Sequence, residues 1–387
     1  GFSTLSLHDA LPSWIGEAIV SGWTPETKKY TFNFTSVAVH ETPLIIGREN
    51  EFKEMIESLI KVENNNVLIV GDIGSGKENL VRSLAYYSFE GKLGVYLNYK
   101  RVMELLVSAL TAGATSRSDL EERLQEIIAE ISHSGDVLIY IPEFQNILGA
   151  GSSSLDLSGA LLPSLKSGNL PIIATMSKGS YKTFMEKNPL KEAFSVIELK
   201  SPDKDTAIEM VLGDAKKVEK KYKVILSYRS IVSAVELADR FVHDQALPGS
   251  ALALLESISN KIVLDREIAY FEKTHKKIVL DAQVIRLVEH VSNVVIGAPS
   301  KEEVELLMHL EDRLHERVIE QNEAISAISE SLRRIRSGML TSERPVSFLF
   351  LGPTGVGKTE TAKTLAEYYY KGEKNMIRLD MSEYTDE

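Results

Sequence analysis

The chain contains no cysteine. That excludes disulfide staples, thiol catalysis and cysteine-bound metal centres, and it fits a reducing, cytoplasmic setting. No apolar run approaches the ~20 residues needed to cross a bilayer, so no membrane segment is expected in this chain. Basic clusters are scarce as well. The net charge is -11, and the densest basic run, KKVEKKYK (Lys216 to Lys223), reads as a solvated helix face. Nucleic-acid binders ordinarily carry a basic stripe, so nucleic acid is not an expected partner. The eight histidines are scattered. His309 and His315 do not share a helix face, and surface or core roles account for them better than metal ligation.

What is present is ordinary globular composition, 43% hydrophobic and 26% charged over 387 residues, enough for two or three domains. The first twelve residues, GFSTLSLHDALP, resemble a translated sequencing-adapter scar and are set aside. The absence of an initiator Met and the abrupt end at DMSEYTDE suggest an interior piece of a longer protein. Residues 1–43 read as an irregular lead-in with a β-prone patch, YTFNFTSVAV. From residue 44 to 200, short apolar strands alternate with amphipathic helices. The strands are NNVLIVG, LGVYLNY, DVLIYIP, PIIATM and FSVIEL; the helices include ENEFKEMIESLI, ENLVRSLAYYS and DLEERLQEIIAEIS. That alternation predicts an α/β three-layer domain with a parallel sheet. Residues 201–275 read as an all-α lid, 276–311 as a connector, and 312–387 as the start of a second α/β module. The restart is visible as a repeat. RVIEQNEAISAISESLRRIRSG echoes IIGRENEFKEMIESLI, and each is followed by an apolar strand and a glycine loop. LGAGSSSLDLSG reads as a mobile surface loop, and the arginines of SLRRIRSG as a solvated or inter-subunit face.

Both glycine loops have the Walker A spacing G-x-x-x-x-G-K. In GPTGVGKT (Gly352, Pro353, Thr354, Gly355, Val356, Gly357, Lys358, Thr359) every expected residue is in place, between the strand VSFLFL and the helix TETAKTLAEYY. The glycines let backbone N–H groups converge on phosphate oxygens at a helix N-terminus, and the lysine neutralises the outer phosphates. The Thr359 hydroxyl would ligate Mg²⁺. Glu360 completes this candidate site. In GDIGSGKE the set Gly71, Gly74, Ser75, Gly76 and Lys77 is kept, but Glu78 stands where the metal-binding hydroxyl belongs. A carboxylate about 5 Å from one phosphate charge costs roughly 3 kcal/mol at an effective dielectric near 20, part of it recoverable if Glu78 ligates Mg²⁺ itself. A glycine-rich turn that binds nothing stays open as the plain alternative. The second element of such sites is an Asp for the metal and a Glu that orients water. Here the strand VLIYI runs into Pro142–Glu143, so the water-orienting Glu143 remains and the metal carboxylate is a proline.

Together these residues identify a resemblance. From about Leu44 to Glu387 the chain is similar to the tandem-module Clp unfoldases of the AAA+ superfamily, the ClpB/ClpC type, most closely in LHERVIEQNEAI, RPVSFLFLGPTGVGKTETAKTLAE and MIRLDMSEY. In the first module LIIGRENE, DLEERL, ILGAG and VELADRFVHDQALPGSALALL follow the family's order. The resemblance implies an AAA+ large domain with an α-helical lid and the start of a second AAA+ domain. It implies ATP and Mg²⁺ as cofactors, a homo-hexameric ring, and unfolded or tagged polypeptides threaded through a central pore. A ClpP-type peptidase is an implied partner only if a docking loop exists. By the same resemblance Val318 and Ile319, and Ile45 and Ile46 in the first module, line adenine pockets. Other positions depart from the family. Its paired finger arginines fall on Glu192–Ala193 before Phe194, its pore-loop tyrosine falls on Ser116, and its sensor falls on Thr175 or Met176. The coiled-coil middle domain has no counterpart between SISNKIVLDREIAYFEKTH and IVLDAQVIRLVEHV, which favours a ClpC-like over a ClpB-like protein. The expectation is a first module that does not hydrolyse ATP, with Glu143 vestigial, and a competent second module in the parent. Two alternatives remain: a non-enzymatic ring scaffold and, against the acidic balance, a nucleic-acid-remodelling motor.

Overall fold

The computed structural model describes residues 24–40, 43–114, 116–149, 156–168, 170–264, 277–292, 301–336, 347–370 and 372–381. They cluster into two compact units, one up to Asp281 and one from Ala282 onward. The first twelve residues, residues 150–155 of the loop LGAGSSSLDLSG and the segment 265–276 where a middle domain would sit lie outside the described residues.

The first unit runs α1 (Pro25–Tyr30), β1 (Thr31–Asn33), α2 (Phe34–Ala38), α3 (Glu49–Leu59), β2 (Asn66–Val70), α4 (Lys77–Phe89), β3 (Arg101–Leu105), α5 (Val107–Thr111), α6 (Arg117–Ser134), β4 (Val137–Ile141), α7 (Ser158–Lys166), β5 (Ile172–Met176) and β6 (Phe194–Glu198). Its lid follows as α8 (Lys204–Tyr222), β7 (Val224–Leu226), α9 (Tyr228–Phe241), α10 (Gly249–Leu264) and β8 (Lys277–Val279). The six large-domain strands form one sheet in the order β1-β3-β4-β5-β2-β6. All neighbours are parallel except β1 and β3.

Side-chain alternation explains why the sheet is covered on both faces. Leu68 and Val70 of β2, with Val137, Ile139 and Ile141 of β4, enter a core shared with α6 and α7. Val67 and Ile69, with Leu138 and Tyr140, enter the opposite core with α3 and α4. One buried polar residue closes the bottom of β2. Asn66 donates through Nδ2 to the carbonyls of Leu165 (2.9 Å) and Ala193 (3.0 Å), and its Oδ1 accepts from the Ile172 amide at 3.1 Å.

Two elements differ from the sequence reading. The lead-in is not irregular over 24–40: it forms a helix–strand–helix, and β1 extends the sheet by pairing with β3, Thr31 opposite Leu105. The strand expected at LGVYLNY forms one step later, at RVMEL. Gly94 and Tyr99 take positive φ (84° and 60°), and Val95 and Tyr96 are exposed, so LGVYLNY makes turns. Val102, Met103 and Leu105 are the residues that reach the cores.

The division between units falls at the start of α11 (Asp281–Ser292), followed by α12 (Lys301–Met308), α13 (Leu310–His315), α14 (Asn322–Arg336) and α15 (Lys358–Tyr369). Leu310, Leu314, Val318, Ile325, Ile328 and Leu332 form this unit's core. Neither VSFLFL nor MIRLDMSEY is a strand among the described residues of this unit. A central parallel strand is stabilised by ladder bonds from neighbours on both sides, and here Leu349 (82%), Leu351 (84%) and Ile377 (90%) are exposed instead. No helix among the described residues is long and apolar enough to cross a membrane.

Candidate functional site

The sheet order sets the first unit's site. β2 lies between β5 and β6, so the chain leaving β2 passes over β5 and β4, and the crevice opens at the carboxyl ends of these strands. The loop Gly71 to Gly76 leaves β2 there. Its first amide donates to the Met176 carbonyl at 3.1 Å, and Gly74 and Gly76 turn it with φ of 85° and 92°. The Lys77 ammonium folds back onto the carbonyls of Gly71 (2.6 Å) and Asp72 (2.8 Å). Burial holds its pKa below the usual lysine value, against the opposing charges of Asp72 and Glu143.

A cleft of about 740 Å³ brings together Ile45, Ile46, Gly74, Ser75, Gly76, Lys77 and Glu143, residues far apart in the chain. Gly71 stays beneath it as the carbonyl partner of Lys77. Thr175 lines the cleft at the end of β5; Met176, buried to 1% exposure, belongs to the core behind. Tyr140, hydrogen-bonded to Thr175, forms part of the floor, and burial pushes its hydroxyl up to about 12.

The lid forms the far wall. The Ala246 amide donates to the Ile73 carbonyl at 2.7 Å, and the Gly249 amide to the Gly74 carbonyl at 3.0 Å. Gly249 and Gly74 approach so closely that a Cβ on Gly249 would lie 2.5 Å from the Gly74 Cα. Gly47 likewise touches α8, where a Cβ would meet Thr206 Cγ2 at 2.2 Å.

Three departures noted in the sequence have local structural consequences. Ser116 is the N-cap of α6: its hydroxyl accepts from the Asp119 amide at 3.2 Å, and Asp119 Oδ2 accepts from the Ser116 amide at 3.1 Å. Ala193 is fully buried, a place without room for an arginine, and Phe194 packs edge-on against Phe144 at 5.3 Å. Glu78 is tied back: its Oε1 accepts from Arg82 Nη2 (2.7 Å) and Nε (3.1 Å). The expected repulsion of phosphate by Glu78 is therefore partly offset by a neighbouring guanidinium.

A nucleotide fits this cleft. Ser75 Oγ and Arg48 Nε are buried polar atoms without a partner, both on residues that line it, and the space beside Gly76 is open to 4 Å. Magnesium does not fit: Pro142 offers no ligand, and Glu78 is committed to Arg82. Sequence reasoning missed Arg48, Arg82, Glu104, Tyr140 and the lid residues Met210, Pro248 and Gly249. The Pro–Gly step opening the helix at ALPGSALALL was the one available signal.

In the second unit the loop has the same local form. Gly355 and Gly357 take φ of 88° and 94°, and the Lys358 ammonium caps the carbonyls of Gly352 (2.8 Å) and Pro353 (2.6 Å). Val318 is buried and lies 3.9 Å from where a Gly357 Cβ would be, whereas Ile319 is exposed. Arg317 holds Glu360 (2.6 Å), Glu373 (3.1 Å) and Glu367, fixing the start of the module against α15. Thr359 follows the lysine at the start of α15 and is exposed.

The fold is therefore an α/β AAA domain with a mostly parallel sheet and a helical lid, followed by the start of a second AAA domain. A model of the AAA lid domain matches residues 203–293, and one of the AAA domain (Cdc48 subfamily) matches 343–387. Among curated proteins, the chain is 30% identical to the negative regulator of genetic competence ClpC/MecB of Bacillus subtilis, over 94% of this chain and 52% of that protein. It is 30% identical to the chaperone protein ClpB of Oceanobacillus iheyensis, over 88% and 49%. It thus spans about half the length of the curated relatives it matches. Among solved structures, the closed state of Hsp104 with ATPγS and FITC casein superposes with a TM-score of 0.80 at 29% identity, covering 92% of this chain and 61% of that one. The extended Hsp104–casein complex of S. cerevisiae gives 0.78 at 30%, with the same coverage. The chain is a homologue of the Clp/Hsp100 AAA+ ATPases over most of its length.

Proposed function

We propose that this chain is part of a Clp-type AAA+ unfoldase in which the first module binds nucleotide and does not hydrolyse it. The observation that carries this reading is the pairing of an intact phosphate cradle with altered metal positions. Lys77, the loop glycines, Glu143 and Thr175 meet at one cleft, while Glu78 and Pro142 stand where the hydroxyl and carboxylate ligands of magnesium belong. Lys77 would neutralise phosphate, and Ile45 and Ile46 would hold the base against the lid. Without a metal to polarise the terminal phosphate, Glu143 has no activated transfer to assist.

In the parent protein the second module supplies hydrolysis. There Lys358 and the backbone of Gly352 to Gly357 hold the phosphates, with Glu360 after them, Thr359 holds Mg²⁺, and Val318 and Ile319 frame the base. The domain division is 44–200, 201–275, 276–311 and 312–387. The assembled form is a cytoplasmic homo-hexamer acting on unfolded or tagged polypeptide, with a ClpP-type peptidase as a downstream partner. The Hsp104 relatives bound to casein support the choice of polypeptide as substrate.

The test is steady-state ATP turnover by the chain carrying Lys358→Ala. Turnover should equal that of the same chain with Lys77→Ala added. A rate that collapses only on loss of Lys77 would show a hydrolysing first module.

A further inference from the structure

The first cleft accepts a nucleotide but not its usual metal, and that disagreement has a consequence of its own. We propose that the first module binds its nucleotide without a divalent cation, because Arg82 holds the carboxylate at the metal position in an ion pair; this rests on the nucleotide-binding reading above.

Three observations converge. Glu78 occupies the loop position of the metal hydroxyl, and both Arg82 nitrogens reach one of its carboxylate oxygens, at 2.7 and 3.1 Å. Arg82 is itself positioned, its half-buried guanidinium lying over the Phe34 ring at 5.5 Å, while the Glu78 carboxylate it holds stays exposed at the mouth of the cleft. Glu104, at the end of β3, lines the same cleft and is the next carboxylate a cation could recruit. Burial and the charge of Glu78 both raise its pKa, while Arg82 lowers it, so Arg82 already serves as counter-charge to both acids. A magnesium ion entering here would have to take Glu78 from Arg82 and would find proline at its second protein ligand. Magnesium demands near-octahedral oxygen ligation and sheds its waters reluctantly, so a divided donor set holds it poorly.

The experiment uses the full chain with Lys358→Ala, which removes the second loop's lysine, titrated with a fluorescent ADP analogue in excess Mg²⁺ and in EDTA. The expected result is a dissociation constant unchanged within about threefold between the two buffers, because no bound metal contributes. Arg82→Gln frees Glu78. Binding in EDTA should then weaken by about fivefold or more, as an unpaired carboxylate faces phosphate, and Mg²⁺ should restore it. Glu78→Thr, which returns the hydroxyl, should introduce a magnesium preference while leaving binding in EDTA intact; this variant also covers the case of an Arg82→Gln chain that fails to fold. Tightening of the unsubstituted cleft by Mg²⁺ beyond threefold overturns the inference alone. Absence of binding in both buffers overturns the nucleotide-binding reading with it. An Arg82→Gln chain that folds and behaves identically in both buffers overturns the role given to Arg82.

Discussion

The two glycine loops are near copies in backbone, yet among the described residues they sit in very different surroundings. Their glycine φ angles agree within a few degrees, 85° and 92° against 88° and 94°. Each lysine caps its loop's first two carbonyls. The surroundings differ completely. The loop at Gly71 leaves a strand buried on both faces, is bonded to the end of β5, and is covered by a lid through two backbone hydrogen bonds. The loop at Gly352 leaves an exposed segment without strand pairing among the described residues, and Gly352 to Val356 are themselves mostly exposed. Loop conformation is a local property of glycine and lysine placement. A binding cleft requires the sheet and the lid.

Substitutions at matched positions can break that comparison. Largest is Gly74→Val against Gly355→Val. Both place a branched side chain at positive φ, which costs about 1–2 kcal/mol. Only at Gly74 would the Cβ also meet lid backbone, 2.8 Å from the Ala246 carbonyl oxygen; the space at Gly355 is open. Overpacking adds about 1–3 kcal/mol, so urea unfolding of the first unit should lose about 4 kcal/mol and the second unit no more than about 2. Equal losses would mean that the lid contact contributes nothing.

Next is the matched pair Leu68 and Leu349, each three residues before its loop. Leu68 is fully buried and Leu349 is 82% exposed. Leu68→Ala should cost about 2–5 kcal/mol by cavity formation, whereas Leu349→Ala should stay within about 0.5 kcal/mol. A large loss at Leu349, measured by the same unfolding transition, would show that VSFLFL is packed in solution.

The smallest effect lies at the residue after each apolar pair. Gly47 and Glu320 share the left-handed conformation, with φ of 64° and 60°. Glycine is required at 47 because α8 crosses there; Glu320 bears the conformational cost with an exposed side chain. Glu320→Gly should therefore raise the stability of the second unit by up to about 1 kcal/mol. A loss instead would mean that the Glu320 side chain makes a contact outweighing its backbone strain.

The alternation of strands and helices and both glycine loops were legible because each is written in contiguous residues with a fixed period or spacing. The lead-in misled because β1 is only three residues long and owes its existence to its partner β3. LGVYLNY misled because β propensity is satisfied equally by an exposed turn, and only burial selects RVMEL as the strand. Ser116 looked like a simple loss and proved to be a helix cap as well. Whether Thr175 or Met176 faces the cleft could not be read from a strand whose two faces are both apolar.

By itself, then, the sequence determined the α/β class, the module repeat, the conformation of both loops and the residue types at each loop's end, since these follow from residue identity over a few neighbouring positions. The tertiary structure decided which residues meet. It set Ile45, Lys77, Glu143 and Thr175 around one cleft, seated the lid on Gly74, and paired Glu78 with Arg82. Those juxtapositions depend on strand order and on close backbone approach, and no local pattern in the chain encodes either one.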